Sequence, residues 1–240
     1  MKTNRLSRLL SFLVYGIGVA VGLFVILVAT WADMESSAYD FPRLASAGLD
    51  GLHCPVLMTP QETSSISLNV SNTTDARISP LIKTQISTRL LPEQFLEDIQ
   101  LIPGETKRVE WSVDAENIDM GNFIFAKVLL FSAHPLPTRE ATCGIFVLDL
   151  PGTGRTIVPV LVVLSFVSMG WSLYRIHRAG TPQEQLRKQW SSMTFLAILI
   201  SLGLVLSFIG GWMLSALVLV ASLLLIIIVL GSLATDRDRK

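Results

Sequence analysis

The sequence predicts a membrane protein: four transmembrane α-helices, with one extracytoplasmic all-β sandwich inserted between the first and the second. Three observations carry this. Four runs, Ser11–Trp31, Thr156–Tyr174, Ser192–Gly210 and Gly211–Leu233, contain no Asp, Glu, Lys, Arg or His. Each is close to the roughly 20 residues a helix needs to cross a bilayer core. Between the first and second runs the pattern changes to period-two alternation, the signal of half-buried strands. Charge then sorts by position. Residues 32–155 carry 16 acidic against 9 basic residues, a net charge of −7, and the rest of the chain carries 3 against 10, or +7.

Residues 1–10 form a basic N-terminus with Lys2, Arg5 and Arg8, and residues 11–31 form the first span. A bilayer offers no water to unpaired backbone groups, so such runs must be helical. Arg175, Arg178, Arg187 and Lys188 lie in the loop 175–191, and Arg237, Arg239 and Lys240 lie in the tail 234–240. Four crossings put all three basic segments on one side. The positive-inside rule makes that side cytoplasmic, with both termini there and the acidic segment outside the plasma membrane. The first run is longer than the usual core of a cleaved signal peptide, so it reads as an uncleaved signal anchor. Ala29, Thr30 and Ala32 form only a weak cleavage pattern.

Residues 32–51 have little periodicity and read as an irregular stalk. Residues 52–150 carry the strands. Ile66, Leu68 and Val70 alternate with Ser67, Asn69 and Ser71; Ile82, Thr84 and Ile86 alternate with Lys83, Gln85 and Ser87; Val109, Trp111 and Val113 alternate with Glu110 and Ser112. Phe123–Phe131 is a longer mixed run, Cys143, Ile145 and Val147 begin a last strand, and short strands near Val56 and Ile99 complete about seven. Turn residues punctuate them: Asn72-Thr73-Thr74-Asp75, Pro103-Gly104-Glu105, Asp119-Met120-Gly121-Asn122 and His134-Pro135-Leu136-Pro137. Arg89–Asp98 has a second reading, a short helical turn after Pro92.

Ser67-Leu68-Asn69-Val70-Ser71-Asn72, then Ile78-Ser79-Pro80, and Leu101-Ile102-Pro103-Gly104-Glu105 before Val109–Val113 resemble the immunoglobulin-like domains of bacterial exported proteins. In those domains an Asn-Thr strand end and a Leu-x-Pro-Gly-Glu turn recur. The resemblance covers about 100 residues. It implies an immunoglobulin-like β-sandwich and a scaffolding or binding role. The chain departs from antibody-type domains, because its cysteines lie near the first and last strands and no tryptophan stands between them in the expected role.

Cys54 and Cys143 are the two cysteines, one near each end of this segment. In an oxidising compartment an even pair reads as a disulfide. No CxxC spacing or ligand cluster points to a metal, and only His53 adjoins a cysteine. Trp111 reads as a core anchor on its strand, with a partner contact as the alternative. Asn69-Val70-Ser71 and Asn72-Thr73-Thr74 fit glycosylation sequons, which matter only in a eukaryotic secretory pathway.

Pro151-Gly152-Thr153-Gly154 tethers the sandwich to the second span, 156–174, in which Pro159 is expected within the first turn. Thr181-Pro182-Gln183-Glu184 forms a capping box for a short helix running into the third span, 192–210. Gly210-Gly211-Trp212 makes a tight hairpin to the fourth, 211–233. Trp31, Trp171, Tyr174, Trp190 and Trp212 lie near span ends, where an aromatic belt forms. Gly18 and Gly22 make a GxxxG match, and Gly203, Ser207 and Gly211 repeat small residues at every fourth position, a spacing that lets helices approach closely.

No ionisable residue lies within a span, which weighs against ion or proton transport. The three histidines, His53, His134 and His177, lie outside the spans, and no Walker loop, GxSxG elbow or HExxH motif is present. The reading is a protein without catalysis, cofactor or metal. Its expected partners are the lipid bilayer and other membrane subunits, with no nucleic acid and no small molecule specified. Two alternatives remain, a stand-alone surface receptor or adhesion module and a transporter or channel accessory.

Overall fold

The computed structural model describes residues 2–39, 41, 44–45, 47–131, 137–178 and 184–238. Three of the expected turn residues, His134, Pro135 and Leu136, and three of the expected capping box, Thr181, Pro182 and Gln183, lie outside the described residues. The chain divides into two compact units, Trp31–Thr156 and Met1–Thr30 with Ile157–Lys240.

The first unit is a two-sheet sandwich. Its strands are β1 (Ala47–Gly48), β2 (Leu52–His53), β3 (Leu57–Met58), β4 (Ser64–Ser71), β5 (Leu81–Ile86), β6 (Glu93–Asp98), β7 (Thr106–Val113), β8 (Phe123–Leu130) and β9 (Arg139–Val147). The larger sheet runs β1-β9-β8-β5-β6, with β3 also on β9, and the smaller runs β2-β4-β7. β1 and β3 pair with β9 in parallel, and the other ladders are antiparallel. The alternating residues meet between the sheets: Ile66, Leu68, Val109, Trp111 and Val113 from one, Ile82, Ile86, Ile124, Val128 and Ile145 from the other. Burying such side chains contributes about 1.5–3 kcal/mol each.

Two local readings change. Glu93–Asp98 is an edge strand rather than a helical turn, since every residue in it pairs with β5, from Ile86↔Glu93 to Leu81↔Asp98. Its exposed Glu93 and Asp98 suit an edge that must not pair further. The expected short strand near Ile99 is only a bridge between Ile78 and Leu101.

The stalk is also more regular than expected. The first helix, α1, spans Lys2–Ala38, so it continues through residues 32–38 of the segment read as irregular, and Ala47–Gly48 then joins the larger sheet. Tertiary contact supplies what local periodicity lacked: Ala32 is fully buried and Ser36 nearly so, both within the sandwich unit.

The second unit consists of α1 up to Thr30, α2 (Gly154–Arg178) from Ile157, α3 (Glu184–Phe208) and α4 (Trp212–Asp238). All four helices are long and apolar enough to cross a membrane. Tyr15, Val19, Ile26, Met169, Ile200 and Leu204 are buried among them, while Val163, Leu217 and Ile228 are exposed. That distribution reverses the polar exterior of a water-soluble bundle. α2 begins two residues before its apolar run, so Pro159 falls past the first turn and removes one backbone hydrogen bond. Gly210, at φ 77°, makes the turn between α3 and α4, a conformation that glycine adopts without steric cost.

Candidate functional site

The strand β8 is buried at all eight positions. Ile124, Ala126, Val128 and Leu130 face the sandwich core, and the alternate side chains face the other way. This outer face has an apolar half and a charged half.

The apolar half receives the end of α1. Ala32, Phe41, Phe123 and Phe125 form a buried cluster, with Tyr39 and Phe146 packed against it. The Trp31 ring meets Phe123 edge-on at 5.7 Å and lies 6.1 Å from Phe146, and Tyr39 lies 4.5 Å from Phe125. Offset and edge-to-face aromatic pairs add about 0.5–1.5 kcal/mol beyond their area. The Tyr39 hydroxyl donates to Asp119 at 2.5 Å.

The closest approach is at Gly144. It pairs with Phe125 in the β8–β9 ladder, and a Cβ built there would overlap the carbonyl oxygen of Ala32. Only glycine allows the helix backbone to lie on the strand here. The Gly144 N–H donates to the Asp33 carboxylate at 3.2 Å, so the helix both fits the gap and is hydrogen-bonded across it.

The charged half holds Lys127, whose side chain is 2% exposed, paired with Glu140 at 3.0 Å. Glu140 also accepts from the backbone N–H groups of Leu44 and Ala45. Burial pushes its carboxyl up, but the hydrogen bonds from Leu44, Lys127 and Ala45 outweigh that and hold it below its ordinary value. The pair therefore ties the segment after α1 to the sheet. Sequence reasoning missed Asp33, Gly144, Lys127 and Glu140. Two signals were present, a lysine inside the apolar run Phe123–Leu130 and a glycine inside the last strand.

Cys54 and Cys143 form a disulfide. Cys54 lies where the chain passes from β2, in the smaller sheet, to β3, in the larger, so the bond closes this crossing onto β9. Trp111 is 4% exposed, and its indole N–H donates to Glu97 at 2.8 Å, which leaves it little surface for a partner.

In the helical unit the small residues sit at close helix contacts. A Cβ at Gly18 would lie 2.9 Å from Ser168, one at Gly22 2.6 Å from Ile200, and one at Gly203 2.8 Å from Ile26. Gly211 is the exception: it lies in the α3–α4 turn, where an added Cβ would meet the Leu206 carbonyl at an ordinary 3.6 Å. Ser207 is drawn into a buried hydroxyl chain: Thr30 to Ser215 at 2.9 Å, and Ser215 to Ser207 at 2.7 Å. This joins α1, α4 and α3 through polar contacts that are satisfied without water. Ser165 donates to the Gly18 carbonyl at 2.8 Å, and Tyr15 to that of Met193 at 2.5 Å. An apolar cavity of about 620 Å³ lies among α1, α3 and α4, bordered by Phe12, Leu23, Leu196 and Ile226. Among the described residues, no three His, Cys, Asp or Glu side chains are grouped to hold a metal ion. His53 is exposed on β2, and the His177 ring lies 5.6 Å from that of Trp190, tilted by 36°, in the other unit.

No protein-family model matches the chain, and no curated protein matches it. Solved structures match part of it. A cycloisomaltooligosaccharide glucanotransferase from Paenibacillus sp. is 14% identical over 45% of this chain and 15% of that one, with a TM-score of 0.32. An alkylpurine DNA glycosylase from Pseudomonas fluorescens is 12% identical over 43% of this chain and 30% of that one, with a TM-score of 0.32. A β-glucuronidase from Bacteroides uniformis is 17% identical over 43% of this chain and 14% of that one, with a TM-score of 0.33. The chain thus spans a minor share of each, and at these scores the likeness carries no functional argument.

Proposed function

We propose that this chain is a non-catalytic integral-membrane subunit that scaffolds or stabilises a membrane assembly, with the outer sandwich contacting partners. One observation carries the reading: the end of α1 is seated against β9 at Gly144 and hydrogen-bonded there through Asp33. A receptor on a flexible stalk has no need of a helix locked into its sheet. A scaffold gains from it, because the helix end braces the larger sheet from within the sandwich unit. The disulfide and the buried Lys127–Glu140 pair support the same reading, since both join peripheral segments to the larger sheet.

The strand order supports an immunoglobulin-like arrangement, with β2-β4-β7 opposed to β9-β8-β5-β6. The charge asymmetry supports cytoplasmic termini and an extracytoplasmic sandwich, where the disulfide is stable. The apolar runs of these helices contain no charged residue, and the hydroxyl and glycine contacts between them support a structural role.

Native purification from membranes in mild detergent, followed by mass spectrometry, tests this. Stoichiometric membrane partners are the expected result. A solitary monomer with nothing bound overturns it.

A further inference from the structure

The two ends of the sandwich differ in what they expose. The chain enters this unit at Trp31, whose ring lies against Phe123 and Phe146, and leaves it at Thr156. β8 begins at Phe123 and β9 ends at Val147, so both exits lie at one end. The β5–β6 loop is at that same end, because Ile86 pairs with Ala126 and the Ser87 N–H donates to the Phe125 carbonyl.

That loop reads Ser87-Thr88-Arg89-Leu90-Leu91-Pro92, and its tip is apolar and open. Leu90 is 93% exposed and Leu91 79%. The tip is held rather than loose. Ser87 is fully buried, donates to the Asn117 carbonyl and accepts from the Phe125 N–H, while the Thr88 hydroxyl closes on the Leu91 carbonyl. A second apolar tip stands at this end. Met120, 64% exposed at φ 47°, projects from the β7–β8 turn, with its N–H bonded to Asp119. At the opposite end the β4–β5 loop exposes Thr73, Asp75 and Arg77, and the β6–β7 loop beside it exposes Ile102, less open than either leucine at 51%.

Two adjacent leucines at a fixed tip keep apolar surface in water unless something covers it. Both neighbouring chain ends lead into membrane-length helices, so both covalent tethers of the sandwich to those helices leave from this end. The exposed Arg89 beside the leucines matches the anionic phosphates of the headgroup layer. We infer that Leu90 and Leu91, with Met120, form an interfacial anchor that inserts into the outer leaflet of the membrane the helices span. It is a third attachment beside the two covalent tethers. This rests on the reading of the helices as transmembrane and not on the existence of partner subunits.

Single cysteines carrying an environment-sensitive fluorophore test it in the full chain, with Cys54 and Cys143 left paired. Leu90→Cys, Asp75→Cys and Leu217→Cys would each be placed in nanodiscs of phosphatidylcholine and phosphatidylglycerol, at one chain per disc. The Leu90 probe is expected to emit blue-shifted light and to be quenched by spin-labelled lipid, as the α4 probe at Leu217 is, with the Asp75 probe aqueous. An aqueous Leu90 probe beside a lipid-exposed Leu217 probe overturns the anchor and leaves the transmembrane reading standing. Aqueous signals at both positions overturn that reading too. A Leu90 probe that is blue-shifted but unquenched by lipid assigns the tip to a protein contact and overturns the proposal.

Discussion

Replacing Gly144 with alanine tests the joint between helix and sheet with a single methyl group. The new Cβ would overlap the Ala32 carbonyl oxygen and lie 3.0 Å from the Ala32 Cα. Both obstacles are backbone, so no side chain can rotate away, and the helix end must lift. Overpacking of this kind costs about 1–3 kcal/mol. Lifting also breaks the Gly144 N–H bond to Asp33, and a hydrogen bond to a charged group is worth about 1.5–3 kcal/mol. The two terms share one displacement and do not add in full, so about 3 kcal/mol is the working figure. At roughly 1.4 kcal/mol per factor of ten, opening of the joint rises on the order of a hundredfold. Hydrogen exchange on the chain in nanodiscs reads this directly, as faster exchange of Trp31–Ala38 and of the Gly144 amide. Exchange in G144A indistinguishable from the parent chain in both segments would refute the argument that the helix is seated on this glycine.

Three further outcomes are expected. Glu140→Gln weakens the tie to buried Lys127 and costs about 3 kcal/mol, the low end for breaking a buried pair because Glu140 retains some exposure. Since the folded carboxyl titrates below its ordinary value near 4.5, its contribution is complete above that value and disappears as pH falls through the lowered one. Unfolding midpoints from about pH 6 to about pH 3 should therefore fall more steeply for the parent chain than for E140Q, and parallel curves would contradict the assignment. Removing the disulfide by Cys54→Ser with Cys143→Ser opens a loop of sequence separation 89 and should lower sandwich stability by about 4 kcal/mol, measured by denaturant titration in nanodiscs. In the helical unit, Gly22→Val forces atoms against Ile200 and Ser165 and should cost about 1–3 kcal/mol, whereas Gly16→Ala meets nothing within 4 Å and should be neutral or stabilising by about 0.5–1 kcal/mol. Thermal unfolding in matched detergent separates the two, and equal losses would mean that these glycines do not distinguish packed from open faces.

The sequence by itself determined the features that repeat along the chain. Uncharged runs of membrane length mark their helices, because a bilayer core excludes charge and unpaired backbone groups alike. Alternation at Ile66–Val70, Ile82–Ile86 and Val109–Val113 marks strands with one dry face, because successive side chains point to opposite sides. The pairing of Cys54 with Cys143 was legible because no other cysteine competes. Tertiary structure decided whatever depended on residues distant in sequence. The continuation of α1 through Ala38 has no local signal, because Asp33, Glu35, Ser36 and Ser37 break the apolar pattern. It exists because the aromatic face of β8 and β9 stands ready to bury it. The run Phe123–Leu130 defied alternation for the matching reason, since both of its faces are covered. Lys127 and Glu140 are 13 positions apart in a chain that gives no sign of their meeting, and strand pairing sets them within 3.0 Å. The site is therefore an outcome of the sheet and the helix end together: periodicity records how each segment meets its own surroundings, and only packing decides which surroundings those are.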